Sequence, residues 1–311
     1  MTLSHARARL RHGLGVLGRA SGVVSARARN WARPPLTVAS QPTACNAMFS
    51  RRRALDLAPE RQSLESEDLY LFDAMRSPRL HGQIVFEYGT LLRASRSWAG
   101  LAVLDIGTGR STFPRWMVRR GASAVTLELS QPVEVPAPGF HARVDRLIRL
   151  DDAQPLGVFG SMRTLPFADS RFDVVTSISV LEHLDTDLPR RTYVPYDQQT
   201  GRLGEAIDEM VRVAKPGGLV YITSECCDYG RATVDHWRGA YYYDEGPPLS
   251  AAWPVADVRA LFYDRLVARG CELVGGLQFD AADIADPDRW TFRGPYFSGF
   301  CVLARKGRRA H

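Results

Sequence analysis

The feature that most constrains this chain is the stretch "VLDIGTGRSTFPRWMVRRGASAVTLELS", which runs from Val103 to Ser130. An apolar run ends in an acid, two glycines bracket a threonine, a helical pattern follows, and a second apolar run ends in another acid. This order predicts a strand, a tight turn, a helix and a second strand. Since open parallel sheets bind ligands beyond the carboxyl ends of their strands, the turn marks a ligand-binding edge.

Short β-rich runs separated by helical patterns continue along the chain. The runs lie at 101–106, 123–129, 155–160, 171–178, 218–225, 271–279 and 297–305, and the helical patterns lie near 111–120, 140–150, 203–214 and 255–269. This alternation predicts an α/β fold, in which a mostly parallel sheet carries helices on both faces. The last two runs have no helical pattern between them, so we expect them to form an antiparallel pair.

The first 55 residues differ in composition from the rest of the chain. They contain ten arginines and no acid, while the whole chain of 311 residues has a formal charge of +6. Because those arginines contribute +10, residues 56–311 carry −4, and this acidic balance disfavours nucleic acid as a partner. We expect residues 1–58 to be a disordered extension. The alternatives are a mitochondrial transit peptide within residues 1–35, and an arm that binds nucleic acid or a membrane surface.

Composition also bears on the protein's compartment and on metal binding. The sequence has no run of about 18 uncharged apolar residues, so we expect no membrane span. The cysteines are odd in number and show no CxxC spacing, which argues against a disulfide framework or a structural zinc site; they are Cys45, Cys226, Cys227, Cys271 and Cys301. We therefore expect a cytoplasmic protein without a metal, or a mitochondrial one if a transit peptide is present.

The acids and glycines of the opening stretch point to a nucleoside cofactor. Asp105 ends the first strand, and Gly107 and Gly109 allow a tight turn that comes close to a ligand. Glu128 ends the second strand, 21 residues after Gly107, where a carboxylate can accept hydrogen bonds from both ribose hydroxyls. A dinucleotide fingerprint has a third glycine where this chain has Thr112. The pattern therefore favours a cofactor with a single nucleoside.

Three successive segments resemble signature segments of the class I S-adenosylmethionine (SAM)-dependent methyltransferases, in particular the type 11 group. They are "VLDIGTGRS", "LPFADSRFDVVTSISVLEHL" and "EMVRVAKPGGLVYITSE", and the resemblance covers residues 80–306. It implies a Rossmann-like, seven-stranded sheet with an antiparallel last strand, bound SAM, and SAM-dependent methyltransferase activity (EC 2.1.1.-). We accordingly expect a methyltransferase domain over residues 59–308.

The resemblance implies roles for individual residues in holding SAM. The loop that holds the methionine part is matched by Asp105, Gly107, Thr108 and Gly109, and the acid that binds ribose is matched by Glu128.

Three further positions complete the expected cofactor site. Ser161 and Met162 match the segment that borders adenine, and Ser161 stands where the family often has an acid. Ser177 lies at the carboxyl end of the fourth predicted strand, and we expect it to contact the cofactor as well.

The acceptor side is less constrained by the sequence. Methyl transfer requires an aligned acceptor and the exclusion of water, and it requires a base only when the acceptor must lose a proton. The candidate bases are His183, next to the methyl-donor end of the site, and Asp228 and His236, in a long aromatic-rich segment. We expect insertions at 185–204 and 224–254 to form a wall and a lid of the acceptor pocket. The structural alternatives are a helix-capping histidine and a surface cluster of aromatic residues.

These observations predict an enzyme that transfers a methyl group from SAM to a small-molecule or glycan acceptor, at oxygen. The preference for oxygen follows from the polar, aromatic lid and the several candidate bases. The alternatives are a nicotinamide-dependent oxidoreductase on a similar sheet, and a catalytically silent methyltransferase-like scaffold or RNA-associated protein.

Overall fold

The computed structural model of the chain describes a defined set of residues. They are 46–49, 86–93, 97–109, 111, 113–129, 154–187, 192–227, 252–279 and 297–308. All structural statements below refer to this set.

The strands form one large sheet and one small one. The strands are β1 (Ala47–Met48), β2 (Ala102–Ile106), β3 (Ser123–Glu128), β4 (Leu156–Phe159), β5 (Phe172–Ile178), β6 (Thr186–Asp187), β7 (Thr192–Tyr193), β8 (Ala214–Cys227), β9 (Trp253–Pro254), β10 (Cys271–Leu273) and β11 (Phe297–Lys306). The large sheet has nine strands in the order β1-β11-β8-β5-β2-β3-β4, with β10 beside β11 and β9 beside β8, and β6 pairs with β7 separately.

The central strands of the large sheet are parallel. β2 pairs in parallel with β3 on one side and β5 on the other, and β4 and β8 continue the two halves. β11 runs antiparallel to β8, as expected for the last strand, and β10 pairs antiparallel with β11. Because the strand order reverses at β2, a crevice forms beyond the carboxyl ends of β2 and its neighbours.

Helices cover both faces of this sheet. Residues 86–93 are helical, and the other helical elements are Phe113–Arg119, the 3-10 helix Leu181–Asp185, Tyr196–Val213, and the continuous run of Val255–Val258, a π-helical Arg259–Asp264 and Arg265–Ala268. None of the helices in the described ranges is long and apolar enough to cross a bilayer.

The core consists of two apolar clusters, one on each face of the sheet. In the first, Leu104, Ile106, Val175, Val220 and Ile222 meet Leu203, Ile207, Met210, Phe262 and Leu266. In the second, Val103, Val174, Leu219 and Tyr221 meet Phe86, Leu91, Phe113 and Trp116. Adjacent strand residues such as Val103 and Leu104 enter opposite clusters, because successive side chains of a strand point to opposite faces. Each fully buried side chain of this size contributes about 1.5–3 kcal/mol.

The α/β fold predicted from the sequence is confirmed, and several of its element boundaries differ from those expected. β10 ends at Leu273 although the apolar run continues to residue 279, since Gly275 and Gly276 have φ of 79° and 76° and turn the chain out of the strand. The helix expected at 203–214 begins at Tyr196. Residues 196–204 are therefore helical and are not part of an insertion over 185–204.

The second expected insertion is also shorter than 224–254. Residues 224–227 extend β8, and β9 returns to pair with it through Cys226↔Trp253 and Cys227↔Pro254. The intervening residues 228–251, which include the candidate bases Asp228 and His236, lie outside the described residues.

The expectation that residues 1–58 form a disordered extension is wrong for residues 46–49, which join the sheet. β1 pairs antiparallel with β11, and Asn46 is fully buried at its start. The Asn46 side chain accepts a hydrogen bond from the Leu303 N–H (2.8 Å) and donates to the carbonyl oxygen of Val274 (2.8 Å). β10 is only three residues long, so it leaves part of the β11 edge open, and β1 pairs with that part.

Asp173 is a structural anchor at the amino-terminal edge of the sheet. Its carboxylate accepts hydrogen bonds from the Ala102 N–H (2.8 Å) and from Lys215 Nζ (2.9 and 2.8 Å). Lys215 belongs to a four-residue bulge of β8, which lies between the partners Phe172↔Ala214 and Val174↔Leu219. Asp173 therefore connects the starts of three neighbouring strands.

We expect Asp173→Ala to lower the free energy of unfolding by about 2–3 kcal/mol, because a backbone amide and an ammonium group lose their charged acceptor. Urea unfolding at pH 7.5 measures this. The matched control is Asp169→Ala, since Asp169 is 75% exposed while bonded to Arg212, and such a surface pair contributes less than about 1 kcal/mol. Equal losses in the two variants would contradict the anchoring role of Asp173.

Candidate cofactor-binding site

The glycine turn predicted from the sequence lies at the carboxyl end of β2. Gly107 and Gly109 have φ of 70° and 55°, in the left-handed region that glycine adopts without strain. The Gly107 N–H donates to the Leu127 carbonyl oxygen (2.8 Å). A Cβ at Gly107 would lie 2.3 Å from Val180 Cγ1. The turn is therefore packed between the ends of β3 and β5, and only glycine fits its first position.

Asp105 connects the glycine turn to β5. Its two carboxylate oxygens accept hydrogen bonds from Thr176 Oγ1 (2.5 Å) and Thr108 Oγ1 (2.7 Å). Burial raises the pKa of Asp105 from its usual 3.8 to about 6; the two hydroxyls oppose this shift, and the charge of Glu128 adds to it. At neutral pH the carboxylate is therefore charged and fixed by two hydroxyls. Thr176 was missed by the sequence analysis, because the two residues meet only through the pairing of β2 with β5.

Glu128 reaches across the crevice from the end of β3 to the glycine turn. Glu128 Oε1 accepts a hydrogen bond from the Gly109 N–H. Partial burial raises the pKa of Glu128, and the bond from Gly109 lowers it. Among the described residues Glu128 Oε2 makes no hydrogen bond, so this oxygen is available to a ligand in the crevice.

The structure adds two apolar residues to the side expected to bind adenine. Phe159 is the register partner of Glu128, and Phe159 and Leu129 are 58% and 56% exposed. Exposed apolar side chains at the rim of a crevice suit the faces of a flat ligand. The expected residues lie close by in sequence: Ser161 accepts a hydrogen bond from the Arg163 N–H (3.2 Å), and Met162 packs partly against the core. The available sequence signal was the position of Leu129 directly after Glu128, the acid expected to bind ribose.

Ser177 lies on the opposite face of β5 from Thr176, because alternate strand residues point to opposite faces. Its side chain is fully buried, and within the described ranges its Oγ has no hydrogen-bond partner. Thr176, and not Ser177, is therefore the neighbour of the Asp105 carboxylate. A contact of Ser177 with the cofactor stays a prediction.

Buried acids lie at the ends of β5 and β8, where Glu182 and Glu225 are 1% and 5% exposed. Ser224 Oγ donates to Glu182 Oε2 (2.6 Å), and Trp253 Nε1 donates to Ser224 Oγ (3.1 Å). Burial raises the pKa of Glu182 well above its usual value, and the negative charge of Glu225 adds to the effect, so the neutral form is favoured. His183 follows Glu182 on the same 3-10 helix, and its side chain is exposed. The described part of the chain contains no group of three or more acidic, histidine or cysteine side chains suited to a metal.

Comparison with known proteins finds a family match for the residues that border this crevice. Residues 104–222 match the family described as "Methyltransferase domain". An uncharacterized methyltransferase of Mycolicibacterium vanbaalenii is 33% identical over 129 residues, which cover 41% of this chain and 40% of that protein. A ubiquinone biosynthesis O-methyltransferase of Mesorhizobium japonicum is 26% identical over 160 residues, which cover 50% of this chain and 53% of that protein. The chain spans about half the length of the curated relatives it matches.

One solved structure is similar to this chain in part. The PH0226 protein of Pyrococcus horikoshii matches with a TM-score of 0.46 and 15% identity, over 79% of this chain and 98% of that one. The matched residues 104–222 contain the glycine turn, Asp105 and Glu128 on a parallel sheet. Residues 104–222 therefore match the class I SAM-dependent methyltransferase family, whose cofactor is S-adenosylmethionine.

Proposed function

We propose that this protein transfers the methyl group of SAM to an oxygen atom of a small-molecule or glycan acceptor. The observation that carries the proposal is the pairing of Glu128 with Gly109 across the point where the strand order reverses. This pairing places a carboxylate oxygen, a glycine turn and a buried aspartate at one crevice.

The described residues fit SAM in four respects. Gly107 leaves no room for a Cβ, so the turn offers its backbone to the methionine part of the ligand. Glu128 Oε2 would accept the ribose hydroxyls, and the exposed faces of Leu129 and Phe159 would pack on adenine. The charges of Asp105 and Glu128 complement a cationic ligand. When bound, SAM supplies an electrophilic methyl group on a positively charged sulfur.

The residues at the ends of β5 and β8 are suited to exclude water from the acceptor. Glu182 is only 1% exposed, and the bonds from Trp253 to Ser224 and from Ser224 to Glu182 satisfy its polar neighbours. Such a dry, hydrogen-bonded wall positions an acceptor without competing for its proton. His183, Asp228 and His236 stay our candidates for the base that removes a proton from an acceptor hydroxyl.

One comparison and one expectation from the sequence support oxygen as the methylated atom. The relative from Mesorhizobium japonicum is named an O-methyltransferase. The sequence also offers several candidate bases, and a base is required when the acceptor is a hydroxyl that must lose its proton.

Calorimetry with SAM, S-adenosylhomocysteine and NADH tests the cofactor. We expect saturable binding of the first two and none of NADH; binding of NADH alone would contradict the proposal. Incubation with methyl-labelled SAM and metabolite extracts then tests transfer. We expect a labelled product whose methyl group is carried by oxygen, and a label found only on nitrogen or carbon would overturn the choice of atom.

We expect Glu128→Ala to weaken SAM binding by about 1–3 kcal/mol, which is about 5- to 150-fold in Kd, because the ribose loses a charged acceptor. Calorimetry at pH 7.5 measures the change, and Glu128→Gln should lose less, since it keeps one acceptor oxygen. Glu272→Gln is the control, because Glu272 is exposed on β10 at the far edge of the sheet. Unchanged affinity in both Glu128 variants would mean that the ribose binds elsewhere.

A further inference from the structure

The helix of residues 86–93 lies outside the family match, which begins at residue 104. It packs on the same face of the sheet as Asp105 and Thr176, through Phe86 and Leu91 of the second core cluster. Two adjacent residues of this helix, Glu87 and Tyr88, contact two different loops that border the crevice. Both residues are buried, at 5% and 7% exposure.

Tyr88 contacts the loop after β2. Its hydroxyl is hydrogen-bonded to Ser111 Oγ (2.9 Å), and its ring packs against Phe113 with centroids 4.6 Å apart. Ser111 closes the glycine turn, because its N–H donates to the Thr108 carbonyl oxygen (2.9 Å). Burial and the charge of Glu87 raise the pKa of Tyr88 above its usual value, so the hydroxyl keeps its proton.

Glu87 contacts the loop after β5. Ser179 Oγ donates a hydrogen bond to Glu87 Oε1. Ser179 has a φ of 52°, which is uncommon for a residue other than glycine, and its N–H is held by the carbonyl oxygen (3.0 Å) and Oγ1 (3.1 Å) of Thr223. The Tyr221 hydroxyl donates to the Glu87 carbonyl oxygen (2.7 Å), which fixes the helix to β8.

We infer that Glu87 and Tyr88 are positioning residues for the cofactor: together they hold the loop after β2 and the loop after β5 at a fixed separation across the crevice. This inference rests on the proposed function, because it takes SAM to lie between those loops. A site whose walls are held in place before binding loses less conformational entropy when the ligand arrives. The affinity for SAM therefore depends on a helix outside the residues that match the family.

A double-mutant cycle on S-adenosylhomocysteine affinity tests the Tyr88 contact. Tyr88→Phe and Ser111→Ala should each weaken binding by about 3- to 10-fold, the effect of losing one hydrogen bond. The double variant should lose less than the product of the two single losses, because both remove the same contact. Hydrogen exchange of the segment 107–111 in the free protein should also be faster in Tyr88→Phe.

The control separates a positioning role from a purely structural one. Tyr196→Phe removes a comparable hydroxyl, which bonds Asp257 Oδ2 (2.7 Å) on the other face of the sheet. It should lower the thermal midpoint about as much as Tyr88→Phe does while leaving affinity unchanged. If Ser111→Ala does not fold, Ser179→Ala tests the second loop, with an expected loss of about threefold.

The outcomes distinguish this inference from the proposed function. If the wild type binds neither SAM nor S-adenosylhomocysteine, the proposed function fails, and the inference fails with it. If the wild type binds but Tyr88→Phe and Ser179→Ala bind within about twofold of it, the inference alone is overturned. Fully independent losses in the Tyr88–Ser111 cycle would overturn it as well.

Discussion

Replacing Gly107 with alanine is expected to lower the free energy of unfolding by about 2–5 kcal/mol and to remove measurable SAM binding. Two costs add at this position. The φ of 70° strains any L-residue with a side chain, and the new Cβ would lie 2.3 Å from Val180 Cγ1 and 2.7 Å from Val180 Cγ2. Relief of the clash requires movement of the turn or of the loop after β5, and both border the crevice. Urea unfolding and calorimetry measure the two effects.

Two further variants separate these costs. Gly201→Ala is the control, because Gly201 lies within a helix with open space around its Cβ position, and it should gain about 0.5–1 kcal/mol of stability. Val180→Ala combined with Gly107→Ala removes the two closest contacts but keeps the strained φ and a Cβ–Cβ distance of 3.0 Å, so the double variant should recover part of the loss relative to Val180→Ala alone. A Gly107→Ala protein as stable as the wild type would contradict the packing of the turn.

The second large effect concerns the charge of Asp105. Its pKa is raised from 3.8 to about 6 by burial, so the folded protein binds this proton more tightly than the unfolded chain. The contribution of Asp105 to stability is therefore most favourable below about pH 4, falls as the pH rises to about 6, and stays about 3 kcal/mol lower above that pH. Asp105→Asn removes this charge, and we expect it to stabilise the free protein by about 2–3 kcal/mol at pH 8.

The same carboxylate should favour the cationic cofactor. SAM affinity of the wild type is expected to rise between pH 5 and pH 7, as Asp105 loses its proton, while Asp105→Asn binds weakly and without this pH dependence. Calorimetry across that range, with urea unfolding of the free protein, measures both properties. A stabilised variant that binds SAM like the wild type would show that Asp105 serves only the fold.

Glu209 provides a control for the unfolding experiment, because its pKa is shifted in the direction opposite to that of Asp105. Hydrogen bonds from Arg212 lower the pKa of Glu209, so its contribution is present above the usual pKa of a glutamate and is lost as the pH falls. Glu209→Gln should therefore destabilise the protein at pH 8, where Asp105→Asn stabilises it. The two variants test the direction of each linkage under the same conditions.

The sequence analysis located the parts of the site that are formed by residues close together along the chain. Asp105, the glycines and Glu128 follow directly from the ends of two strands, and the structure brings them together. Thr176 and Ser179 lie 71 and 92 residues from their partners Asp105 and Glu87, so no local pattern could connect them.

The differences between the expected and the observed element boundaries also arise from contacts between residues that are distant in the sequence. The helix that begins at Tyr196 contains Gly201 and Gly204, which weaken its local signal, yet its buried residues Leu203 and Ile207 fix it to the sheet. A Cβ at Gly204 would lie 2.7 Å from the guanidinium group of Arg265, so the end of that side chain would have to shift. Tertiary packing thus decides the start of a helix that propensity alone places later.

The short strand β1 has a consequence for any shortened version of this protein. Removal of the arginine-rich residues together with residues 46–49 would leave the backbone of β11 around Phe300 and Cys301 without its partner. An open strand of that kind invites pairing with the same edge of another molecule, and therefore self-association. A version that begins at residue 46 would discard seven of the ten arginines of residues 1–55 and still keep this edge of the sheet paired.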